Sequence, residues 1–429
     1  MSSSSTTERK GDGSVRVRDG SVREQNRPLC VLIIVLMRNN CFLFAFAFVF
    51  MILAGCRNKG VNVADDGVTV ISVDLNESEK VSMSDIISRI EIVELEGGPD
   101  SYVVGPRWFK VSNGKYYMDS RQTVAVDAFE SDGTFLFSTA KRKGNGHNEY
   151  VALNGFHVDK DGCIGIFSYA SGYIKYDPTL KAVNCDDSLR RIGLVAVSDD
   201  VLAGAVISND SLTLEYYSTT LHKKVGTASM AYNKKNIDWQ FVLYRLHTYM
   251  TNDRECLYRT SRISDFSVFR VNKDEKTITE AYRYDTGNGM LDESLLSSIK
   301  SQEDITRLLS QYTSLWDFHI NNDMIIAVLG HRAYNRLNID RSFYWSFFQP
   351  QTGKQRLINT EMNDGKELDR IDQLDDGIIY TIVESYQLKD VDKMVDTDLL
   401  DEHSKEILDS RNDDTNAYII KYYLRDDIL

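Results

Sequence analysis

From residue 67 onward the chain breaks into short stretches in which apolar and polar positions alternate, the two-residue period of half-buried β-strands. Two kinds of stretch recur. In one, a strand ends on an aromatic, turns through polar residues and resumes as a strand. Its copies are AFESDGTFLF at Phe129, IKYDPTLKAV at Tyr176, EYYSTTLHKKV at Tyr217, VFRVNKDEKTI at Phe269 and SFFQPQTGKQRLI at Phe348, with a truncated IIKYYLRD at Tyr423. The other kind lies upstream of each: KYYMDS, CIGIFSY, VLAGAVI, CLYRTSRI, MIIAVLG and GIIYTIV. Asn113-Gly114, Asp132-Gly133, Asp161-Gly162 and Asp376-Gly377 punctuate the strands, as tight hairpins require.

The aromatic markers are 47, 41, 52, 79 and 75 residues apart. Each of the two long intervals holds an insert of helical character. Residues 291–312 place Leu291, Leu295, Leu296, Ile299, Ile305 and Leu308 on one stripe, and residues 389–411 are strongly charged. Without about 22 residues of insert, every interval falls near 40–55, and four strands at that period is the mark of a β-propeller. A sandwich does not explain six similar units; a seven-bladed or distorted ring is the remaining competitor. The expected fold is therefore all-β, a six-bladed β-propeller over 67–429 with two helical inserts. The last copy stops one strand short, and VTVISVDL at 68–75 is the N-terminal strand expected to close the last blade.

Upstream, CFLFAFAFVFMILA at 41–54 is uninterruptedly apolar and follows Arg38. It is short for a membrane span, which needs about 20 residues, and has the form of a signal peptide. It ends Leu53-Ala54-Gly55-Cys56, which resembles the lipobox of bacterial lipoproteins, where the cysteine is lipidated and begins the mature chain. An ordinary signal or membrane anchor is the alternative. Residues 37–55 are read as the signal peptide, Cys56 as the lipidation site, and 56–66 as a lipid-anchored tether. Residues 1–36 read as a disordered N-terminus or an over-extended start, with Met37 the natural beginning.

Charge and cysteine usage narrow the partners. The chain carries 50 Lys+Arg against 63 Asp+Glu, a net charge of −13, which excludes binding nucleic acid by neutralising phosphates. Residues 1–56 contain seven Lys/Arg and four Asp/Glu, so the mature chain holds 43 against 59, a net charge of −16. Of six cysteines, only Cys163, Cys185 and Cys256 lie in the folded part; they are free thiols, or one disulfide and a leftover. Neither they nor the histidines show metal-site spacing, and no cofactor motif is present.

The mature chain resembles the six-bladed β-propeller lipoproteins common in Bacteroidetes. The lipobox carries the likeness together with ISRIEIVELEG at 87–97, GNGHNEY at 144–150 and NDDTNAYIIKYYL at 412–424, in that order. The last departs from the family's Asp-Asn-Pro ending, with Ala417 where proline is usual. The resemblance implies a lipid-anchored cell-envelope protein of the outer membrane, periplasmic or surface-facing.

Candidate chemistry is sparse. Gly144-Asn145-Gly146 lacks the Lys-Ser/Thr and helix of a phosphate loop, and reads as an inter-blade loop. Asp159-Lys160-Asp161-Gly162 lacks the downstream acid of a calcium loop, and reads as a hairpin turn. His157 and His319 occupy matching places in Phe156-His157-Val158 and Phe318-His319-Ile320, on first strands. First strands line a propeller's channel, so the pair could face one lumen; alternation could equally aim them into blade interfaces. Trp108, Trp239, Trp316 and Trp345 could form a glycan-stacking platform or blade core. No catalytic triad or paired catalytic carboxylate stands out. The expected function is a binding or scaffold module for a glycan, peptide or partner protein. The alternative is an envelope hydrolase or lyase acting on a glycan or lactone at the channel mouth.

Overall fold

The computed structural model describes residues 61–64, 67–98, 101–189, 194–198, 201–207, 211–231, 248–251, 256–259, 266–272, 277–290, 301–321, 324–334, 339–368, 370–411 and 415–429. Residues 1–36, the segment 37–55 read as a signal peptide, and Cys56 lie outside them. The described residues belong to one compact unit, Asn58–Leu429.

Six antiparallel sheets follow one another around a ring. Blade 1 is Phe109–Ser112, Lys115–Ser120, Ala125–Phe129 and Phe135–Ser138. Blade 2 is Gly155–Val158, Ile164–Ser168, Gly172–Tyr176 and Ala182–Asp186. Blade 3 is Leu194–Ser198, Val201–Ile207, Ser211–Ser218 and Lys223–Ala231. Blade 4 is Thr248–Thr251, Cys256–Arg259, Ser267–Asn272 and Thr277–Asp285. Blade 5 is Ser314–Asn321, Met324–Tyr334, Ile339–Gln349 and Lys354–Asn359. Blade 6 is Gln373–Asp375, Ile378–Val383 and Tyr418–Leu424, completed by Ile87–Glu94. The first strand of each blade touches the first strands of both neighbours, and those of blades 6 and 1 touch in turn, so the ring is closed.

Packing follows from the alternation. Six apolar clusters lie one at each blade interface. Phe129, Tyr176, Tyr217, Phe269 and Phe348, the markers that set the repeat, each pack toward the preceding blade. Asn113-Gly114 and Asp376-Gly377 take positive φ at both residues, the twist a two-residue hairpin demands.

The last blade is closed by an N-terminal strand, but not by 68–75. Ile87–Glu94 pairs antiparallel with Tyr418–Leu424, Glu94 opposite Tyr418. Thr69–Ser72 instead runs parallel to Thr277–Asp285, the outer strand of blade 4, with Asp285 level with Ser72. Val61–Val63, within the segment read as a tether, folds back on it as the outermost strand of that sheet, Val61 opposite Ile71. The chain then bridges the outer edge of blade 5, Glu79 beside Ile358, before entering blade 6. Ile71 and Val73 are buried against blade 4, so the apolar alternation that marks 68–75 as a strand is satisfied there. Ile87–Glu94 is the longer strand, eight residues against four, and it fits the open edge of blade 6.

Connections are unequal on the two faces of the ring. On one face lie the turns between first and second strands and between third and fourth, such as 113–114, 159–163 and 376–377. On the other lie the connections between blades and between second and third strands, including 139–154, 286–313 and 384–417. Both helical inserts belong to this second face. Helix α1 (Gln302–Gln311) begins at a capping box formed by Ser301 and Asp304. Helix α2 (Glu402–Ser410) lies along blade 6, where Ser404 Oγ accepts the Ile92 amide at 2.8 Å and so occupies the open edge of the closing strand.

Candidate functional site

The mouth of the channel on the insert-bearing face is built from the residues that lead into the first strands. In blade 1, Asp119 is fully buried and collects three donors: the amides of Arg107 and Trp108 at 2.6 and 2.8 Å, and Arg107 Nε at 2.9 Å. The guanidinium also lies 4.0 Å over the Trp108 ring and reaches Leu153 O of the next connection. In blade 6, Arg370 Nε donates to Asp372 Oδ1 at 2.6 Å while the Ile382 amide donates to Asp372 Oδ2 at 2.8 Å. Burial pushes the Asp372 carboxyl up, against the pull of Arg370. Glu384, just past the second strand of blade 6, accepts the Gly105 amide of blade 1 at 2.9 Å and the Tyr386 hydroxyl at 3.3 Å. The acids here are committed to backbone amides and arginines.

Below the mouth the channel wall is a single strand edge per blade. Gln373 of blade 6 covers part of it, its Oε1 accepting the Val111 amide of blade 1 at 2.8 Å. Lys110 lies beside Val111. Its side chain is exposed yet surrounded by protein, and this desolvation lowers its ammonium. Among the described residues no carboxylate pairs with it.

The two histidines are not brought together. They sit on blades 2 and 5, opposite each other in a six-membered ring. His157 is buried on the side of blade 2 that faces blade 3, over Gly165, stacked 14° from the Tyr173 ring with Nε2 3.0 Å from its hydroxyl. A Cβ on Gly165 would fall 2.0 Å from that nitrogen, so the glycine makes the room. His319, also buried, faces blade 6 with Nε2 3.6 Å from Asp317 Oδ2. Lys110 holds the matching place in Phe109-Lys110-Val111, but it is exposed where the two histidines are buried. A search for histidines misses it; aligning the three first strands on Phe109, Phe156 and Phe318 finds it. Among the described residues no group of three metal-ligating side chains forms.

The remaining motifs are structural. Gly146 N donates to Glu149 Oε2 at 2.9 Å, and a Cβ on Gly144 would strike the same oxygen at 1.9 Å, so both glycines clear space for the folded-back carboxylate. Tyr150, buried beside it, bonds Thr139. Asp159 Oδ1 accepts the amides of Asp161 and Cys163 and its Oδ2 pairs with Lys175 at 2.7 Å, closing a hairpin turn. Asn416 is buried at the seam of the ring. Its Oδ1 accepts the Val103 amide at 2.9 Å and its Nδ2 donates to Ser101 O and Glu96 O at 2.6 and 3.1 Å. Trp316 and Trp345 are core between blades 5 and 6, Trp108 is half-buried, and Trp239 lies outside the described residues. Cys163 and Cys185 are free thiols.

A closed ring of six four-stranded blades, sealed by its own N-terminal strand, defines a β-propeller whose open mouth is ringed by long connections. The chain belongs to the DUF5128 family of 6-bladed beta-propellers, whose model matches residues 58–329. Its fold is similar to that of a protein of Bacteroides fragilis described as exported, at 16 % identity and a TM-score of 0.60, over 83 % of this chain and 99 % of that one. A member of the DUF4221 family from Bacteroides vulgatus aligns at 8 % identity and a TM-score of 0.46, over 79 % of this chain and 97 % of that one. No curated protein is significantly similar.

Proposed function

We propose that the protein is a cell-envelope lipoprotein, anchored through Cys56, whose propeller binds a peptide or protein partner at the insert-bearing face. The observation that carries this is the inequality of the two faces: long connections on one rim of a rigid ring are where binding residues concentrate. Binding is favoured over hydrolysis or lysis because the acids at the mouth already hold amides and arginines. A general acid–base pair needs a carboxyl free to exchange its proton with substrate. The apolar run before Cys56 and the exported Bacteroides fragilis neighbour support an envelope address. Among the described residues no helix is long and apolar enough to cross a membrane.

Lys110 gives the site a charge preference, since an acidic side chain entering the channel would meet a cation that no carboxylate pairs with among the described residues. The test is a pull-down from native membranes in mild detergent with wild type, Lys110→Ala, and Val183→Ala on the opposite face. Partner recovered by wild type and Val183→Ala, and reduced about tenfold with Lys110→Ala, is the expected result; a tenfold loss is about 1.4 kcal/mol. Equal recovery by all three removes the channel from the reading. Turnover of a glycan or lactone by the purified chain would replace it with the hydrolase or lyase alternative.

A further inference from the structure

The direction of the first described strand carries information about where the anchor leaves the ring. Thr277–Asp285, the outer strand of blade 4, runs toward the insert-bearing face and ends there. Thr69–Ser72 runs parallel to it, and Val61–Val63 antiparallel to both. Val61 is opposite Ile71, which is level with Tyr284, one residue from the end of that strand. The chain therefore enters the fold at the insert-bearing rim. Five residue steps separate Val61 from Cys56, and in any conformation they span at most about 18 Å.

A second, independent feature points the same way. Three aromatic side chains are exposed among the described residues: Tyr102 at 37 %, Tyr169 at 55 % and Tyr386 at 61 %. Each lies on an inter-blade or second-to-third-strand connection, hence on the insert-bearing face. The exposed apolar residues in or beside the turns of the opposite face, Leu136, Val183 and Leu221, are all aliphatic, while the insert-bearing side exposes Val151 and Val206 besides its tyrosines. Tyrosine is enriched at protein interfaces, where its ring buries area and its hydroxyl keeps a polar contact.

We infer that the insert-bearing face is held toward the membrane that carries the lipid, and that its partner is a protein embedded in that membrane. This rests on lipidation of Cys56 as proposed above. A protein is favoured over the lipid surface because the mature chain, at 43 Lys+Arg against 59 Asp+Glu, has a net charge of −16 and is repelled by anionic headgroups. A leash this short also keeps the face at high local concentration with neighbours in the same membrane.

The experiment places the photo-crosslinker benzoylphenylalanine at Tyr169 or Tyr386, and on the other face at Leu136 or Val183, in the full chain expressed in its native cells. All four positions are exposed, so the fold tolerates them. The expected result is an adduct to one integral membrane protein from Tyr169 and Tyr386, about tenfold weaker from Leu136 and Val183. It is lost in Cys56→Ser. It also falls several-fold when about 40 Gly/Ser residues are inserted after Lys59, which lengthens the leash to roughly 35 Å root-mean-square. Equal adducts from both faces, adducts to lipid or to soluble proteins alone, or none at all would overturn the inference. Membrane retention, scored in the same cells, separates the two readings. Retention that does not depend on Cys56 defeats the anchor; retention that does, with adducts from the wrong face, defeats only the orientation.

Discussion

Asp127, on the third strand of blade 1, is fully buried, and neither carboxylate oxygen has a hydrogen-bond partner. Burial raises its pKa to about 7; the Ser138 hydroxyl opposite works against this without reaching hydrogen-bond geometry, and Asp119 adds to it. The unfolded chain releases this proton near the ordinary carboxyl value of 3.8. Between about pH 4 and about pH 7 the folded chain thus holds a proton the unfolded chain has lost, and stability falls as pH rises through that window. The rise from 3.8 to about 7 corresponds to at most about 4 kcal/mol. Asp127→Asn should flatten the fall, leaving the variant more stable than wild type in denaturant melts at pH 8 and close to it at pH 4. Parallel pH profiles for the two chains would show that the group is solvated or paired. Nothing in the sequence marks Asp127, since AVDAF reads as an ordinary alternating strand, and which neighbours enclose the aspartate is set by the fold. Lys110 differs: its place was written in the repeat, but in a residue type that draws no attention.

At the scale of elements, the three segments that carry the family resemblance serve ring construction. ISRIEIVELEG supplies the closing strand, GNGHNEY the connection between blades 1 and 2, and Asn416 the seam. Asn416 keeps its three contacts although Ala417 replaces the usual proline, because they are made by its side chain. Strand identity was legible from alternation, and so was the need for an N-terminal partner in the last blade. Which of two apolar stretches fills that place was not, because both alternate and the choice turns on which sheet edge each can reach. The structure makes the distinction testable. A chain beginning at Asn76 keeps Ile87–Glu94 and loses only the strap on blade 4. Its cost is chiefly the burial of Val68, Ile71 and Val73, about 5 kcal/mol by area. It should remain folded with a lowered melting temperature. A chain beginning at Glu96 opens blade 6 and uncovers the paired edge of Tyr418–Leu424, and should not fold cooperatively. Equal melting of the two chains would mean that Ile87–Glu94 does not close the ring.

For the whole molecule, the period announced the ring and the two longest intervals, 79 and 75 residues, announced its uneven faces. The lipobox-like Leu53-Ala54-Gly55-Cys56 is of another kind, because a lipobox is an address read by processing enzymes and not by the packing of strands. Anchor and ring should therefore be separable. Asn58–Leu429 forms a compact unit of its own, and the described strand next to Cys56 in sequence, Val61–Val63, is held on the sheet of blade 4. In the proposed lipoprotein, more than one acyl chain on Cys56 would make attachment stable, whereas a single chain binds only marginally. Cys56→Ser should consequently move the protein from the detergent phase to the aqueous phase on phase separation, wherever its leader is still cleaved. Its melting temperature should stay within about 1 °C of wild type, since a substitution outside the compact unit should alter its stability by no more than about 0.5 kcal/mol. Unprocessed Cys56→Ser that stays in the membrane would identify residues 41–54 as a retained anchor. Release accompanied by a lower melting temperature would show that the lipid, or the membrane it enters, also braces the rim of blade 4.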